Sequence, residues 1–365
     1  MADSTWTGAI NNDWNTAGNW TAGVPGAGNT ATITSGGATI TGNLTNVAQI
    51  ILVAGSRTLS GTLTTTGITL NISPGATLLM SGAIGGAGGV TKTGLGTAQL
   101  VASNTFSGTT TVSAGTLITA AGALASTTSI VNNATLTAVN CNGGCDISGS
   151  GDTTFSGVSP NLGTVNFTGT LTFSAVTGSA TLGSLAGVGQ LSVQGPSLVI
   201  TNGGTTFFGP LIGFCELTAP TVGGTFTLAN SNSYAGGTQV NGGTLKAGSA
   251  NAFGSGTVQI NAGALDLDGY APVVTITANN GTVLNGNNYA GTMTLPALAS
   301  MQIPPGNSLA GTANVNATAD LNIGGAHTGT INNSGTVTID NGTAAATPVN
   351  VYIGACGSTY AVQQP

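Results

Sequence analysis

Apolar and polar residues alternate along the chain in short runs, and turn-forming residues separate these runs. The runs Ala31-Thr-Ile-Thr34 and Thr336-Val-Thr-Ile339 place apolar and polar residues at alternate positions. Because successive side chains of a strand point to opposite faces, this period of two predicts short β-strands. Glycine, asparagine, serine and threonine interrupt every stretch long enough for a helix, and these residues have poor helix propensity. The chain is therefore predicted to be all-β.

A template recurs along this pattern at an interval of about 20 residues. Its copies at 112–117, 240–245 and 260–265 each have a β-branched residue, then glycine three positions later and leucine five positions later. Coils that cannot bury their apolar side chains alone can do so when stacked, which predicts a β-solenoid. A sandwich or barrel explains the turns but not the repeat. The template predicts that six residues point into the core: Val112, Leu117, Val240, Leu245, Ile260 and Leu265.

Two segments share a longer motif at a constant offset of 128 residues between Asn104 and Asn232. The first has Gly-Val-Thr-Lys-Thr-Gly at 89–94 and Asn-Thr-Phe-Ser-Gly-Thr at 104–109, and the second has Asn-Ser-Tyr-Ala-Gly-Gly-Thr at 232–238. Phe106 and Tyr234 occupy the same motif position. These segments closely resemble the autotransporter-associated β-strand repeat. The resemblance implies a right-handed parallel β-helix of the passenger type, which on cell surfaces serves in adhesion, cell–cell aggregation or coating.

The chain is predicted to have three regions. Trp6, Trp14 and Trp20 form a pattern similar to the opening of such passenger domains, in which we expect tryptophans to cap the first coil. We therefore expect an N-terminal cap at 1–30, β-solenoid repeats at 31–347 and a C-terminal strand or tail at 348–365. No run reaches the 18 consecutive apolar residues of a membrane-spanning helix, so no transmembrane segment is expected.

Charged residues are scarce: three are Lys or Arg and nine are Asp or Glu, or 3% of the chain. Three cations cannot neutralise a run of phosphates, which excludes electrostatic binding of nucleic acid. Low charge favours association between copies. The sequence predicts a non-enzymatic structural protein, a neutral solenoid that self-associates in an extracellular or cell-surface fibre, coat or adhesive layer. Expected partners are other copies of the chain, with a cell surface or a polysaccharide as further candidates.

Two other functional classes remain open from the sequence. A leaderless viral fibre or coat component is one, because the first residues lack the basic and apolar regions of a signal peptide. A carbohydrate-binding or carbohydrate-cleaving β-helix is the other, and it would need an aromatic or acidic groove. Aromatic residues make up only 5% of the chain, which weakens this second alternative.

Asp266 and Asp268 form the one close pair of acidic residues. Their i, i+2 spacing predicts an outward strand face that is exposed, with weak cation binding and catalysis on a bound sugar as alternatives. His327 is the single histidine, so no histidine-based metal cluster is expected within one chain. We predict no catalytic residue, no metal and no cofactor.

The three cations and the four cysteines complete the candidate chemistry. Lys92 and Lys246 are predicted to be turn or surface residues, and Arg57 is predicted to be a solvated loop residue. Cys141 and Cys145 bracket Asn-Gly-Gly, a flexible turn across which a disulfide is possible, with two free thiols as the alternative. Sequence alone names no partner for the other two cysteines, Cys215 and Cys356.

Overall fold

The computed structural model of the chain confirms the all-β solenoid. It describes residues 2–124, 127, 129–139, 141, 144–286, 288–324, 326–327 and 330–340, and the strands Val351–Ile353 and Thr359–Gln363. In this described part, one short 3-10 helix, η1 (Ala17–Asn19), accompanies 42 β-strands. The chain divides into two compact units, residues 1–180 and 181–365.

Unit 1 contains three columns of parallel strands, each strand pairing with the equivalent strand of the next coil. Thr97, for example, pairs with Thr77 of the preceding coil and with Thr116 of the following coil. The first column holds β1 Ser4–Trp6, β2 Thr30–Ile33, β4 Gln49–Leu52, β7 Ile68–Ile72, β10 Val90–Thr93, β12 Thr110–Val112, β14 Ser129–Asn132, β16 Cys145–Gly149 and β18 Asn161–Phe167. The second holds β5 Ser56–Leu59, β8 Thr77–Met80, β11 Thr97–Leu100, β13 Thr116–Thr119, β15 Thr135–Val139, β17 Asp152–Gly157 and β19 Thr170–Val176. The third holds β3 Leu44–Thr45, β6 Leu63–Thr64 and β9 Ile84–Gly85.

Unit 2 contains two long columns of parallel strands and two shorter pairs. The first column holds β20 Ser179–Gly187, β23 Thr205–Phe207, β26 Thr225–Leu228, β28 Thr244–Ala247, β30 Ala264–Asp266, β32 Asn280–Leu284, β34 Ser300–Ile303, β37 Asp320–Ile323, β40 Thr336–Asp340 and β42 Thr359–Gln363. The second holds β22 Ser197–Ile200, β25 Glu216–Thr218, β27 Thr238–Val240, β29 Val258–Ile260, β31 Ile276–Ala278, β33 Thr292–Leu295, β36 Thr312–Val315, β39 Thr330–Asn333 and β41 Val351–Ile353. The shorter pairs are β21 Gln190–Val193 with β24 Leu211–Gly213, and β35 Ser308–Leu309 with β38 Ala326–His327.

The alternating pattern of the sequence builds the core directly. In β13 the burial pattern alternates half-buried and buried, so Leu117 points inward and Ile118 points outward. Leu117 pairs in register with Ala98 below and Leu136 above, and all three side chains are fully buried. Burial of each large aliphatic side chain stabilises the fold by roughly 1.5–3 kcal/mol. The stacked inward positions therefore supply the main stabilisation of each unit.

The glycine of each template copy, at 115, 243 and 263, closes a corner of the coil. Gly115 has a φ of +68°, in the left-handed region that glycine adopts without strain. A Cβ atom at this position would collide with the backbone of the preceding coil, at the carbonyl oxygens of Gly94 and Gly96. Close stacking of the coils thus requires glycine at this corner.

Three tryptophans pack together at the start of unit 1. The ring of Trp20 makes edge contacts with Trp6 and Trp14, at centroid distances of 5.0 and 4.5 Å. The indole nitrogen of Trp20 donates a hydrogen bond to the carbonyl oxygen of Trp14 at 2.7 Å. Trp6 lies in β1, which pairs in parallel with β2 of the next coil. The aromatic cluster therefore lies against the first strand of the stack.

Candidate functional surfaces

The six template residues occupy inward positions in the structure. Leu245 pairs with Phe226 and Leu265, and Val240 pairs with Ile260. Each of the six side chains is fully buried: Val112, Leu117, Val240, Leu245, Ile260 and Leu265. The spacing of the template thus coincides with the spacing of successive coils, and these residues belong to the core rather than to a ligand site.

The asparagine of each repeat links three consecutive coils. The side-chain oxygen of Asn104 accepts a hydrogen bond from the backbone N–H of Ile84 at 2.8 Å, and its amide nitrogen donates to the carbonyl of Ala123 at 2.9 Å. Asn232 repeats this geometry with the N–H of Leu211 and the carbonyl of Ala252. Sequence reasoning identified both asparagines as motif residues but not their role. Both are buried, where such bonds satisfy backbone groups that have no water.

The shared aromatic position of the repeats lies in the core. Phe106 is 1% exposed and Tyr234 is fully buried. The phenol oxygen of Tyr234 shares a hydrogen bond with the hydroxyl of Thr238. Burial raises the pKa of the Tyr234 phenol far above its ordinary value, and the hydrogen bond to Thr238 opposes this shift. The aromatic residue therefore fills the turn of the repeat and is not presented to a ligand.

The predicted surface position of Lys92 is wrong. Lys92 is fully buried, because the alternation of β10 places it on the same inward face as Val90. Its ammonium donates hydrogen bonds to the carbonyls of Thr93, Gly94 and Ala114 at 2.7, 2.7 and 3.1 Å. Burial lowers the pKa of this amine to about 8. Lys92 therefore ties the corners of two consecutive coils together.

The prediction that Arg57 is a solvated loop residue is also wrong. It lies in β5 with only 8% of its surface exposed. Its guanidinium donates hydrogen bonds to the carbonyls of Ala38 and Ser35 at 2.7 and 2.8 Å. Burial lowers the pKa of the guanidinium. The side chain thus satisfies carbonyls of the preceding coil, where an apolar residue would leave them without partners.

The acidic pair does not form one exposed face. Asp266 ends β30 and is 9% exposed, whereas Asp268 has a left-handed φ of +47° and is exposed. The turn at Asp268 breaks the period of two on which the prediction rested. Lys246 of the preceding coil lies 3.0 Å from a carboxylate oxygen of Asp268 and 4.0 Å from one of Asp266. The pair and the lysine form an inter-coil ion cluster, so Lys246 is a surface residue with a structural partner.

The described part of the chain contains no cluster of three or more metal-ligating side chains. The backbone of His327 lies in β38, but its side chain is outside the described residues. Asp266 accepts hydrogen bonds from the side-chain amide of Asn285 and from the N–H of Asp268, at 2.8 and 2.9 Å. Both bonds end on the same carboxylate oxygen, and Lys246 lies near the other oxygen of Asp266 and near Asp268. Few carboxylate oxygens of the pair therefore remain as ligands for a metal ion.

Neutral polar residues form columns on the outward faces. Thr97 pairs in register with Thr77 and Thr116, and Thr116 pairs with Thr135. In unit 2 a comparable outward column runs from Gln239 through Gln259 to Thr277 and on to Thr294, Asn314 and Asn332. Their spacing of one coil was visible in the sequence. Only the strand register shows that they share a face.

Cys141 and Cys145 have their sulfur atoms within bonding distance, and the Cα atoms are 6.7 Å apart. Both residues are buried. Cys215 is a buried free thiol, and Cys356 lies outside the described residues. Burial raises the pKa of the Cys215 thiol to about 11. We propose that Cys141 and Cys145 form a disulfide in the protein.

Thiol labelling tests this disulfide. We expect alkylation of the unfolded, unreduced protein to label Cys215 and to leave Cys141 and Cys145 unlabelled. In the folded protein Cys215 should also stay unlabelled, because the thiolate reacts and burial disfavours it. Peptide mass spectrometry after chymotryptic digestion measures the result, with a reduced sample as the control. Labelling of Cys141 and Cys145 without reduction would show two free thiols instead.

A stacked parallel β-structure with neutral outer columns defines the class of this protein, a β-solenoid. Comparison with known proteins confirms the resemblance that the motif predicted. The family model of the passenger-associated-transport repeat matches residues 90–118 and 223–247, which include Lys92, Asn104 and Asn232. No helix in the described residues is long and apolar enough to span a membrane.

One curated relative is the adhesin BmaC autotransporter of Brucella suis biovar 1 (strain 1330). It is 38% identical to this chain over 174 residues, which make up 46% of this chain. The chain matches only 5% of the length of that relative. No solved structure matches the chain significantly.

Proposed function

We propose that this protein is a non-enzymatic cell-surface β-solenoid whose neutral faces pack against other copies in an adhesive layer or fibre. The observation that carries the proposal is the outward threonine column Thr77, Thr97, Thr116 and Thr135. Hydroxyl groups in such a column can exchange hydrogen bonds with a second copy without electrostatic repulsion.

The distribution of charge supports this packing. Lys92 and Arg57 are buried and hydrogen-bonded to backbone carbonyls. Lys246 is matched by the carboxylates of Asp266 and Asp268. All three cations are thus engaged within the chain, and the threonine column is uncharged from Thr77 to Thr135, beyond which it meets Asp152.

The comparisons support a surface location and an adhesive role. The matched relative is named an adhesin and an autotransporter, and the matched repeat is described as associated with transported passengers. Both descriptions favour the exterior of a cell, and neither supports the viral alternative. A glycoside-cleaving role would require a pair of carboxyl groups flanking the substrate. The pair at Asp266 and Asp268 is instead bound to Lys246.

Sedimentation and light scattering across a salt series test the self-association. Raising the ionic strength from about 0.01 to 1 M shortens the Debye length from roughly 30 to 3 Å. We expect the assembly to persist over this range, because few ions contribute to it. A triple variant, Thr77→Lys, Thr116→Lys and Thr135→Lys, should dissociate it, since like charges would face each other across the contact.

The matched control is the triple variant with serine at the same three positions, which keeps the hydroxyls and adds no charge. It should assemble like the unmodified protein. A protein that stays monomeric at every salt concentration and at high protein concentration would contradict the proposal. Assembly of the lysine variant to the same extent would place the contact on another face and remove the observation on which the proposal rests.

A further inference from the structure

A groove in unit 2 follows the starts of successive strands of the second column. It consists of two adjoining cavities of about 560 and 300 Å³ that share Gly256 and Thr257. The smaller cavity reaches back to Glu216, the first residue of β25, and the larger one reaches forward to Thr292, the first residue of β33. The groove therefore crosses several coils rather than lying within one of them.

Two of the residues that line this groove, Gly236 and Gly256, lie where adjacent coils approach closely. A Cβ atom on Gly236 would lie 2.5 Å from backbone atoms of Cys215 and Glu216, and one on Gly256 would lie 2.5 Å from the backbone of Gly237. These distances are too short for any other residue without a shift of the backbone. Close stacking of the coils therefore requires glycine at both positions, which brings main-chain atoms of adjacent coils together beside the groove.

Two residues that line the smaller cavity, Glu216 and Gln239, begin a hydrogen-bonded chain of side chains. The amide nitrogen of Gln239 donates to a carboxylate oxygen of Glu216 at 2.9 Å. The amide nitrogen of Asn261 donates to the side-chain oxygen of Gln239 at 3.3 Å, and Asn279 donates to Asn261 at 2.6 Å. These contacts fix the orientation of the amide planes before any ligand arrives, which lowers the entropic cost of binding.

The electrostatics of the groove exclude an anionic ligand. Glu216 is the one charged residue among those that line the two cavities. Lys246 lies in the first column and is paired with Asp268 at 3.0 Å. An anion in the groove would therefore meet a carboxylate with no compensating cation. A neutral ligand that is rich in hydroxyl groups carries no charge for the carboxylate to repel, and its hydroxyl groups can donate hydrogen bonds to it.

The geometry points to a neutral oligosaccharide, and we propose that it binds along this groove across successive coils. Sugar hydroxyls can donate to the Glu216 carboxylate and exchange hydrogen bonds with Gln239 and Thr257. Pro272 and the exposed Val273 line the same groove and offer an apolar patch to the C–H face of a ring. The coil spacing of about 4.8 Å is comparable to the rise of one pyranose residue in an extended glycan.

This inference rests on the proposed adhesive function, because it names the class of ligand that the solenoid would hold at a surface. Isothermal titration calorimetry of the full chain tests it, with hexasaccharides of glucose, mannose and N-acetylglucosamine as neutral probes. Heparin and polygalacturonate serve as anionic probes. We expect at least one neutral hexasaccharide to bind and both anionic polymers to fail to bind.

Two substitutions place the binding in the groove. Gln239→Ala should weaken binding at least about tenfold, because the hydrogen bonds of its amide to the sugar are lost and Glu216 is released. Thr257→Trp should abolish binding by filling the space that the two cavities share. The matched control is Gln302→Ala, an exposed glutamine of β34 outside the groove, which should bind like the unmodified protein. Thermal unfolding of each variant separates loss of binding from loss of fold.

Three outcomes would overturn the inference: no binding of any neutral probe, stronger binding of an anionic probe, or equal loss in the Gln239 and Gln302 variants. A protein that assembles normally but binds no sugar would reject the groove and leave the proposed self-association intact. A protein that binds sugar but stays monomeric would support the groove and reject the proposed self-association. The two proposals therefore fail separately.

Discussion

Leu245→Asp should destabilise unit 2 by roughly 5 kcal/mol or more, because the substitution removes a core leucine and buries a carboxyl group. Leu245 is fully buried and pairs in register with Phe226 and Leu265 of the adjacent coils. Neither neighbour can donate a hydrogen bond from its side chain. A loss of this size is comparable to the whole stability of an ordinary domain, so we expect unit 2 to unfold at or near ambient temperature.

Thermal and urea unfolding followed by far-UV circular dichroism measures this effect. Thr244→Asp is the matched control, because Thr244 precedes Leu245 in β28 but points outward and is half-buried. It should cost less than about 1 kcal/mol, the range of strand propensity on an outer face. Equal melting temperatures for Leu245→Asp and the unmodified protein would contradict the register in which 245 stacks on 226 and 265.

Asn232→Leu should destabilise the second repeat by roughly 2–6 kcal/mol. The substitution leaves two backbone groups without partners, the N–H of Leu211 and the carbonyl of Ala252, and each such buried group costs about 1–3 kcal/mol. Leucine shares the branching at Cγ and is larger than asparagine, so no packing is lost, and overpacking adds to the destabilisation. The effect would show that the repeat asparagine holds adjacent coils together rather than binding a partner.

Asn241→Leu is the matched control for this substitution. Asn241 is exposed and accepts a side-chain hydrogen bond from Asn261 at the surface, where water can replace it. We expect a change below about 0.5 kcal/mol at such a position. Urea unfolding of the two variants beside the unmodified protein gives the comparison, and a similar small effect for both asparagines would refute a bridging role for Asn232.

The sequence does not reveal which polar residues are buried. Isolated cations usually lie at the surface, which is where the sequence places Lys92 and Arg57. Their places in β10 and β5 put them on inward faces, where backbone carbonyls of neighbouring coils accept their hydrogen bonds. The alternation around Lys92 already indicated an inward position. The acceptors come from residues such as Ala114, 22 positions away in the chain.

The acidic pair shows a second limit of the sequence. A strict period of two predicts that Asp266 and Asp268 share a face, but β30 ends at Asp266 and the chain turns at Asp268. Sequence patterns locate strands better than they locate strand ends. The contact with Lys246 also depends on the stacking of β28 on β30, which places Lys246 beside Asp266.

The sequence by itself determined the all-β class, the coil of about 20 residues and the inward template residues, because the period of two and the repeat are local properties of the chain. It also determined the near absence of charge and the two repeats that carry Asn104 and Asn232. Only the tertiary structure decided which residues meet between coils. The asparagine bridges, the carbonyl-bound Lys92, the outward columns and the groove beside Glu216 and Gln239 each join residues that lie about one coil apart in sequence. Their contacts depend on strand register, and a shift of one residue would reverse every side chain between core and surface.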